Sequence, residues 1–500
     1  MDSSVNRSRW RKRSQRNKPL LFSISLLFLL SLLLLLLLLL VSSKTLTSLI
    51  PFSPKTLAPK SKNPCETLAL AGERFLWYAP HSGFSNQLSE LRNAILISAI
   101  LNRTLVVPPV LDHHAVALGS CPKFRVKGPA ELRAAVWDHI MQLAEERRYV
   151  SMADIIDLSS ITSSKVRIID FRVFASLWCG LNMGNACFGS LCCAISGDGS
   201  LSTNSSPCRS LLSGSQGNVN HCIYALEEDC RTIVWTYQQE NDGMLDKFQP
   251  DRELQKKKKI SYVRKRRDIF KALGPGSNAE TATVLALGSV FSSPYKGSEL
   301  YIDIHEAPRD PFIQSLIKKT EFLPFSPEVI AAGKEFAVQN IKEPFLCAQL
   351  RLLDGQFKNH WKSTFSALKQ KILSLKASGP IHIFIMTDLP TMNWTGTYLE
   401  ELKEDTKSYK LFTLRERDDL IVQAAKKLMA AENSLKSSFL PRNLDGIKKK
   451  RDCDRVMLPD VLLYVEETVC SCATMGFVGT AGSTIAESIE IMRKNNACEL

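Results

Sequence analysis

The 500-residue sequence lacks several patterns that assign proteins to common functional classes. No Gly-Lys-Ser/Thr loop is present, which disfavours a nucleoside triphosphatase. The closest cysteine spacings, Cys192-Cys193 and Cys470-x-Cys472, do not form the C-x2-C pairs of a structural zinc site. No internal repeat is visible, and only one charge-free run is long enough to cross a membrane. Repeat arrays and proteins with several membrane spans are therefore disfavoured as well.

The net positive charge is small outside the first nineteen residues. The 64 Lys and Arg against 50 Asp and Glu give a net charge of +14. Residues 1–19 hold seven basic residues and the single acid Asp2, so +8 remains for everything beyond. So mild a surplus predicts no nucleic-acid partner, although it suits an anionic substrate. The proportions of 45% apolar and 23% charged residues are globular, and the length favours two domains with appendages.

The one long apolar run, Leu20–Val41, predicts a membrane anchor. Its 22 residues carry no charge and follow the basic segment, so the positive-inside rule leaves the N-terminus in the cytosol. A cleaved signal peptide is the alternative, but its apolar region is shorter and Val41-Ser42-Ser43 is a poor cleavage site. We therefore expect a cytosolic tail at 1–19, a transmembrane signal-anchor at 20–41, a Ser/Pro/Lys-rich stem at 42–64 and a lumenal head.

All fourteen cysteines follow the predicted anchor. An oxidising lumen favours disulfides over metal binding, although the spacing does not give their connectivity. Three sequons, at Asn102, Asn204 and Asn393, would permit glycosylation there.

The head divides into two α/β sections. Strand-like Arg74–Tyr78, a glycine turn, a helical pattern over Asn86–Leu101 and strand-like Thr104–Val107 predict a βαβ unit with a parallel sheet. A second series starts near Pro344. Its expected strands are 345–350, 381–386 and 477–478, and its expected helices are 361–376, 419–431 and 483–492, with a further apolar section at 461–474. We predict two facing Rossmann-like domains, an N-terminal one at 65–330 and a C-terminal one at 331–500.

An atypical Cys-rich and basic insertion spans about residues 180–280. It contains Lys256 to Lys259 and Arg264-Lys265-Arg266-Arg267. Such a run could bind a polyanion, but it more often forms a solvated loop or helix face.

Four motifs place polar groups where strands end and helices begin. In His81-Ser82-Gly83-Phe84-Ser85-Asn86, the glycine permits close approach of a ligand, and Asn86 would lie at a helix start, either binding phosphate or simply capping the helix. Arg351 follows a buried strand and could hold a diphosphate, or pair with Asp354 instead.

The other two motifs lie further along the chain. Asp388 follows the strand IHIFIM and could bind a ribose or base, or cap a turn. Ser483 and Thr484 follow the Gly-rich FVGTAG segment at a helix start, which is suited to phosphate.

Together the motifs resemble those of the plant O-fucosyltransferase-like family, within the GDP-fucose protein O-fucosyltransferase superfamily. They read GFSNQ (83–87), QLR (349–351), FIMTD (384–388) and FVGTAGSTIAES (477–488), and they span nearly the whole head. The segments HWKSTF and TDLPTMNWTGTYL add to the likeness. One departure concerns Gln349, which stands where the family usually has a nucleotide-contacting His.

The resemblance implies a GT-B-like α/β fold and an inverting transfer from a GDP-sugar, with GDP-fucose as the expected donor, in the Golgi or endoplasmic reticulum. No metal or other cofactor would be required, and the acceptor would be a protein or polysaccharide. Asn86 would bind the diphosphate or the donor sugar, Arg351 would act catalytically on the β-phosphate, and Asp388 would bind guanosine. Gln349 would take the nucleotide contact of the usual His, and Ser483 and Thr484 would bind phosphates.

Several alternatives stay open from the residues alone. Gln349 could mark an inactive, glycan-binding or partner-binding pseudo-glycosyltransferase. Asp452-Cys453-Asp454 has the spacing of a metal-binding carboxylate pair but no apolar strand before it, and Asn443-Leu444-Asp445-Gly446 fails the order of a calcium loop. Asp354, Glu306 and His360 are candidates for the general base by position only.

Overall fold

A computed structural model describes most of the head. The described residues are 72–112, 116, 127–146, 148–179, 217–219, 222–228, 233–237, 256, 265–290, 310–353, 355–375, 379–438 and 460–499. Residues Asn63–Leu500 belong to one compact unit. The predicted tail, anchor and stem lie outside the described residues. Among the described residues, no helix has the length and apolar character to cross a bilayer.

The first sheet contains six strands in the order β3-β2-β1-β8-β5-β4. Its strands are β1 (Phe75–Trp77), β2 (Thr104–Val107), β3 (Ile168–Asp170), β4 (Gly217–Val219), β5 (Ile223–Ala225) and β8 (Val284–Ala286). All neighbours pair in parallel except β4 and β5, which are antiparallel at one edge. β1 is wholly buried, as its apolar sequence predicts for a sheet covered on both faces.

The predicted βαβ unit is confirmed, with one correction at its helix. Helix α1 runs Phe84–Ile100, beginning two residues before the predicted Asn86. Gly83 is its N-cap residue, so Asn86 lies inside the first turn and does not cap the helix. The remaining helices of this section are α2 (Pro129–Glu145), α3 (Met152–Ile155), α4 (Ser159–Thr162), α5 (Phe171–Cys179) and α6 (Ile269–Leu273).

The predicted 180–280 insertion contributes structure to this section. Its strand β5 pairs with β8 inside the sheet. The basic run is part strand: β6 (Ile233–Thr236) and β7 (Lys265–Asp268) form a separate parallel pair, in which Arg266 is buried and its neighbours Lys265 and Arg267 are exposed. The strand period of two explains this alternation, which a solvated loop or helix face would not show.

The second sheet has four parallel strands in the order β11-β10-β9-β12. They are β9 (Phe345–Leu350), β10 (Ile381–Thr387), β11 (Tyr409–Phe412) and β12 (Gly476–Gly479). The helices are α7 (Pro311–Glu321), α8 (Pro327–Glu335) continued by a π-helical turn (Phe336–Ile341), α9 (Trp361–Ser374), α10 (Tyr398–Glu404), α11 (Asp419–Ala431), α12 (Asn433–Ser437), α13 (Val461–Ser471) and α14 (Thr484–Lys494). The strands and helices predicted for this section are present, each with its bounds shifted by no more than three residues.

Aromatic packing joins the two sections at the start of α1. The Phe84 ring lies 4.5 Å from that of Tyr464 on α13 and 6.1 Å from that of Phe325, measured between centroids. All three rings belong to one continuous hydrophobic cluster that draws on both sheets. The GFSNQ turn therefore lies where the first section meets the second.

Disulfides are confirmed in the described part of the second section. Cys347 on β9 pairs with Cys470 on α13, and Cys472 pairs with Cys498 near the C-terminus. The close Cys470-x-Cys472 pair thus anchors the end of α13 to two different elements. Most of the predicted cysteine cluster between Cys179 and Cys230 lies outside the described residues, although Cys222 is disulfide-bonded too.

Candidate active site

The order of the second sheet creates a switch point between β9 and β12. From β9 the chain proceeds through β10 to β11 on one side and then returns to place β12 on the other. Loops that leave the carboxyl ends of β9 and β12 therefore diverge, and this crevice is where open α/β sheets bind ligands. The QLR and FVGTAGST segments lie at these two strand ends.

Thr480 connects the two strand ends, and the sequence motifs did not single it out. Its hydroxyl accepts a hydrogen bond from the Arg351 backbone N–H at 2.9 Å and donates to the Gln349 carbonyl at 3.3 Å. Its own N–H donates to the Gln349 carbonyl at 3.0 Å, with the Gln349 side-chain oxygen 3.3 Å away. Gln349 and Thr480 are both buried, so this interlock fixes the backbone from which the Arg351 side chain extends.

Arg351 is partly exposed, and its guanidinium lies over an aromatic ring. Its Cζ lies 4.8 Å from the centroid of Phe357, in the short 3-10 turn Gly355–Asn359. A guanidinium over an aromatic ring gains a cation–π attraction, and its planar fork of N–H groups is suited to a bidentate phosphate contact. Asp354, the partner considered for Arg351 from sequence, lies outside the described residues.

Asp388 binds the loop after β9. Its two carboxylate oxygens accept the backbone N–H groups of Leu352 and Leu353, at 2.7 and 3.0 Å. The Trp361 indole donates to the Leu352 carbonyl, which holds the same loop from α9. Asp388 therefore shapes the loop that carries Arg351, which is a contact with a distant segment and not the local cap considered from the sequence, and the residue is exposed.

Ser483 and Thr484 lie where the sequence predicted them, at the beginning of α14. Ser483 is the N-cap residue, yet its side chain caps no backbone N–H. Its hydroxyl is buried and lacks a hydrogen-bond partner among the described residues. A buried hydroxyl beside the free N–H groups of a helix N-terminus suits a phosphate oxygen.

Glycines allow α14 to approach the sheet at this point. A Cβ on Gly479 would lie 2.5 Å from the Ala486 Cβ and 2.9 Å from the Phe477 ring. Gly482 has φ +77°, in the left-handed region that favours glycine. Helix α14 therefore packs against the end of β12 at a distance that only glycine at position 479 permits.

The first sheet has its own switch point, between β1 and β8, and the GFSNQ turn lies there. Asn86 is half-buried, and its Oδ1 has no hydrogen-bond partner within the described part of the chain. Gln87 is fully used inside the protein, because its amide donates to the carbonyls of Ser82 and Leu111 and accepts the Leu111 N–H. Of the Asn-Gln pair, Gln87 therefore holds the turn, whereas Asn86 keeps a buried acceptor oxygen beside it.

A buried polar cluster supports this turn and was missed from the sequence. His81 Nε2 and the Ser289 hydroxyl are 2.9 Å apart, and Ser289 donates to Glu90 Oε1 at 2.9 Å. Glu90 Oε2 accepts the His81 backbone N–H at 2.9 Å, while His81 Nδ1 lies 2.9 Å from the Ser82 hydroxyl. The sequence signal was present in His81-Ser82 directly before Gly83, but Glu90 and Ser289 are brought to it only by the fold.

Two groups near the junction of the sections have strongly shifted pKa values. Burial raises the pKa of the Tyr464 hydroxyl well above its usual value, and Asp460, Glu467 and Asp112 add to the shift. Burial also raises the pKa of Glu467 to about 8, against a lowering by the hydrogen bond that it accepts from Ser488. At neutral pH these groups are therefore largely uncharged.

The remaining predicted candidates are partly among the described residues and partly outside them. His360 is exposed and directly precedes α9. Glu306, Asn204, the Asp452–Asp454 pair and the Asn443–Gly446 loop lie outside the described residues, whereas Asn102 and Asn393 are both exposed. In the described ranges, no three His, Cys, Asp or Glu side chains cluster as metal ligands would.

Comparison with known proteins decides the family. No protein-family model matches the sequence. The chain is 52% identical over 493 residues to O-fucosyltransferase 30 of Arabidopsis thaliana, a match covering 98% of this chain and 96% of that protein. The chain belongs to the O-fucosyltransferase family. As a member of this family it is a glycosyltransferase, and the resemblance stated from the four motifs is confirmed.

Solved structures of fucosyltransferases also align with this O-fucosyltransferase family member. POFUT1 in complex with GDP-fucose aligns with 84% of this chain and 94% of its own, at 13% identity and a TM-score of 0.35. The fucosyltransferase NodZ from Bradyrhizobium aligns with 84% and 93%, at 10% identity and a TM-score of 0.30. Both scores lie below 0.5, so the family assignment depends on the Arabidopsis sequence.

Proposed function

We propose that the chain transfers fucose from GDP-fucose to a hydroxyl group of a protein or glycan acceptor, with inversion at the anomeric carbon. The observation that carries the proposal is the crevice between β9 and β12. Arg351, the buried Ser483 hydroxyl and the N-terminus of α14 belong to the loops that leave these two strand ends. A diphosphate bearing a sugar matches this donor-rich, positively polarised edge.

The chemistry follows from where charge develops. In an inverting transfer the acceptor oxygen attacks the anomeric carbon while the bond to the β-phosphate breaks, and negative charge grows on the leaving phosphate. The Arg351 guanidinium and the N–H groups of the first turn of α14 would stabilise this charge from fixed positions. Asn86, whose Oδ1 is an unpartnered acceptor, would hold a hydroxyl of the donor sugar.

Gln349 departs from the family's usual His, and its position gives it a different task. The residue is buried at the end of β9, and its side-chain oxygen faces the Thr480 N–H. It would act on the nucleotide through the Thr480 turn that it stabilises. Asp388 would likewise act through the loop of Leu352 and Leu353 and offer its exposed edge to guanosine.

The proposal is tested by donor selectivity. The full chain, purified in detergent, would be incubated with GDP-fucose, GDP-mannose or UDP-rhamnose, with and without EDTA, and release of the nucleotide would be measured. We expect GDP release from GDP-fucose above the other donors and little effect of EDTA, because Arg351 and α14 take the role of a divalent ion. Preference for another donor would contradict the proposed substrate, and a strict need for Mn²⁺ would direct attention to Asp452 and Asp454.

We also propose the finer architecture and location that the sequence suggests. The two sheets would form the cores of two facing Rossmann-like domains in a GT-B-like arrangement, divided near residue 330. Leu20–Val41 would anchor the chain in the Golgi membrane, or that of the endoplasmic reticulum, as a type II protein with a lumenal head. Protease added to intact microsomes should then spare the head, and its digestion without detergent would overturn this topology.

A further inference from the structure

The buried cluster behind the GFSNQ turn forms one connected chain of hydrogen bonds. It runs from Ser82 through His81 and Ser289 to Glu90, with each link at 2.9 Å. His81, Ser289 and Glu90 are almost fully buried, and Ser82 at 9% exposure is the member nearest to solvent. The chain therefore runs from Ser82, its most exposed member, to the fully buried Glu90.

The pattern of donors and acceptors fixes the direction of this chain. The Ser289 hydroxyl donates a hydrogen bond to Glu90 Oε1, so its oxygen must accept a hydrogen bond from His81 Nε2–H. His81 then carries its proton on Nε2, and its Nδ1 lone pair accepts a hydrogen bond from the Ser82 hydroxyl. Glu90 also accepts the backbone N–H groups of His81 and Val290, as an ionised carboxylate can. His81 is thus arranged as a base that faces Ser82, and Glu90 Oε1 lies 3.7 Å behind its Nε2.

The backbone at Ser82 is unusual. Its φ of +63° is a left-handed conformation that a residue other than glycine adopts at a cost. Structures retain such conformations where the surroundings impose them, often at functional sites. Here the conformation orients the Ser82 hydroxyl onto His81, directly beside Gly83 and the turn that presents Asn86.

We propose that Ser82, His81, Ser289 and Glu90 form the proton relay that activates the acceptor hydroxyl. The inference deepens the proposed fucosyl transfer and depends on it. The acceptor hydroxyl gives its proton to Ser82 Oγ while the Ser82 proton passes to His81 Nδ1. The acceptor oxygen forms its bond to the anomeric carbon, and the bond to the β-phosphate breaks with its electron pair leaving on GDP. Glu90 stabilises the imidazolium through Ser289, and the proton returns to solvent after the product leaves.

Azide separates this role from a structural one. Azide attacks the anomeric carbon as an anion and needs no base, whereas water must lose a proton. The measurement is GDP release from GDP-fucose by the full chain, with water alone and with sodium azide, beside calorimetric GDP affinity and melting temperature. The variants are Ser82→Gly and His81→Gln.

Ser82→Gly removes the hydroxyl and relieves the left-handed strain, so we expect an equal or higher melting temperature. GDP release in water should fall about 10²-fold or more, as for loss of a general base. Azide should restore release to within a few-fold of the wild type, with unchanged GDP affinity. Lys165→Gly is the matched control, because exposed Lys165 has φ +65° far along the chain from the site and should gain stability without losing turnover.

Three results would decide against the relay or its basis. Release by Ser82→Gly close to that of the wild type would overturn the relay even if His81→Gln fails to fold. A loss that azide does not restore would assign the cluster a structural role. A wild type that releases no GDP from GDP-fucose, with or without azide, would overturn the proposed function and the relay with it.

Discussion

The Glu467 carboxyl shows how far burial can shift the pKa of a side chain. It lies on α13, its Oε2 accepts the Ser488 hydroxyl at 2.8 Å, and its Oε1 has no partner among the described residues. Burial raises its pKa to about 8, far above the usual value near 4.3. The folded protein therefore holds a proton that the unfolded chain releases.

A pH dependence of stability follows from this shift. Stability from the protonated carboxyl is fully present below about pH 4.3 and is lost as pH rises towards 8, because only the unfolded chain ionises readily there. Glu467→Gln should thus raise the free energy of unfolding at pH 8, on the order of 2–4 kcal/mol, and change it little at pH 4.5. Urea unfolding at both pH values measures the difference.

Glu490→Gln on α14 is the control for this prediction. Glu490 is exposed, so its substitution should have little effect at either pH. An equal effect of Glu467→Gln at pH 4.5 and pH 8 would show that folding does not raise the pKa of this carboxyl.

Single residues also show where sequence reasoning reaches its limit. The positions of Arg351, Ser483 and Thr484 at strand and helix ends were predictable because they follow from local patterns. The pairing of Thr480 with Gln349 was not, because it joins residues 131 positions apart. Asp388 could be placed at a strand end, but only the fold shows that its carboxylate holds the loop of Leu352 and Leu353.

At the scale of elements, the close packing of α14 on β12 requires glycine at position 479. Gly479→Ala would drive a Cβ to 2.5 Å from the Ala486 Cβ, so α14 must move away from the strand. We expect GDP affinity to fall by tenfold or more, because the helix N-terminus and Ser483 move with it. Stability should fall by about 1–3 kcal/mol through overpacking.

Gly276→Ala provides the comparison for this prediction. Gly276 is exposed with φ +81° and no atom near its missing Cβ, so alanine there introduces backbone strain without a clash. It should lower the melting temperature and leave GDP affinity unchanged. Calorimetric titration with GDP measures the affinity of both variants. Unchanged affinity in Gly479→Ala would show that the α14 N-terminus does not contribute to nucleotide binding.

Element prediction failed only where local signals are ambiguous. Helix α1 begins at Phe84 because Gly83 supplies the N-cap backbone, although Asn86 is the residue type that more often caps. The basic run at Lys265–Asp268 became a strand because β6 pairs with it, a contact between distant segments that charge patterning does not reveal. The apolar strands of the second sheet, by contrast, were predictable because burial on both faces leaves a continuous apolar sequence.

At the scale of the molecule, each sheet places one of the predicted ligand-binding turns at its own switch point. β1 lies between β2 and β8, and β9 lies between β10 and β12, so both crevices open at carboxyl ends of parallel strands. The sequence indicated two α/β sections, because one series of strand and helix patterns begins near residue 74 and a second begins near residue 344. The strand orders depend on long-range pairing and come from the structure alone.

In the proposed transfer, Arg351 stabilises the phosphate that leaves the sugar. Turnover of GDP-fucose by Arg351→Lys, measured as GDP release by the full chain beside its melting temperature, tests it most directly. Lysine keeps the charge but loses the planar, bidentate fork, so we predict a loss of about 10²–10³ in turnover with the melting temperature unchanged. Turnover near that of the wild type would contradict the claim and would favour another catalytic group.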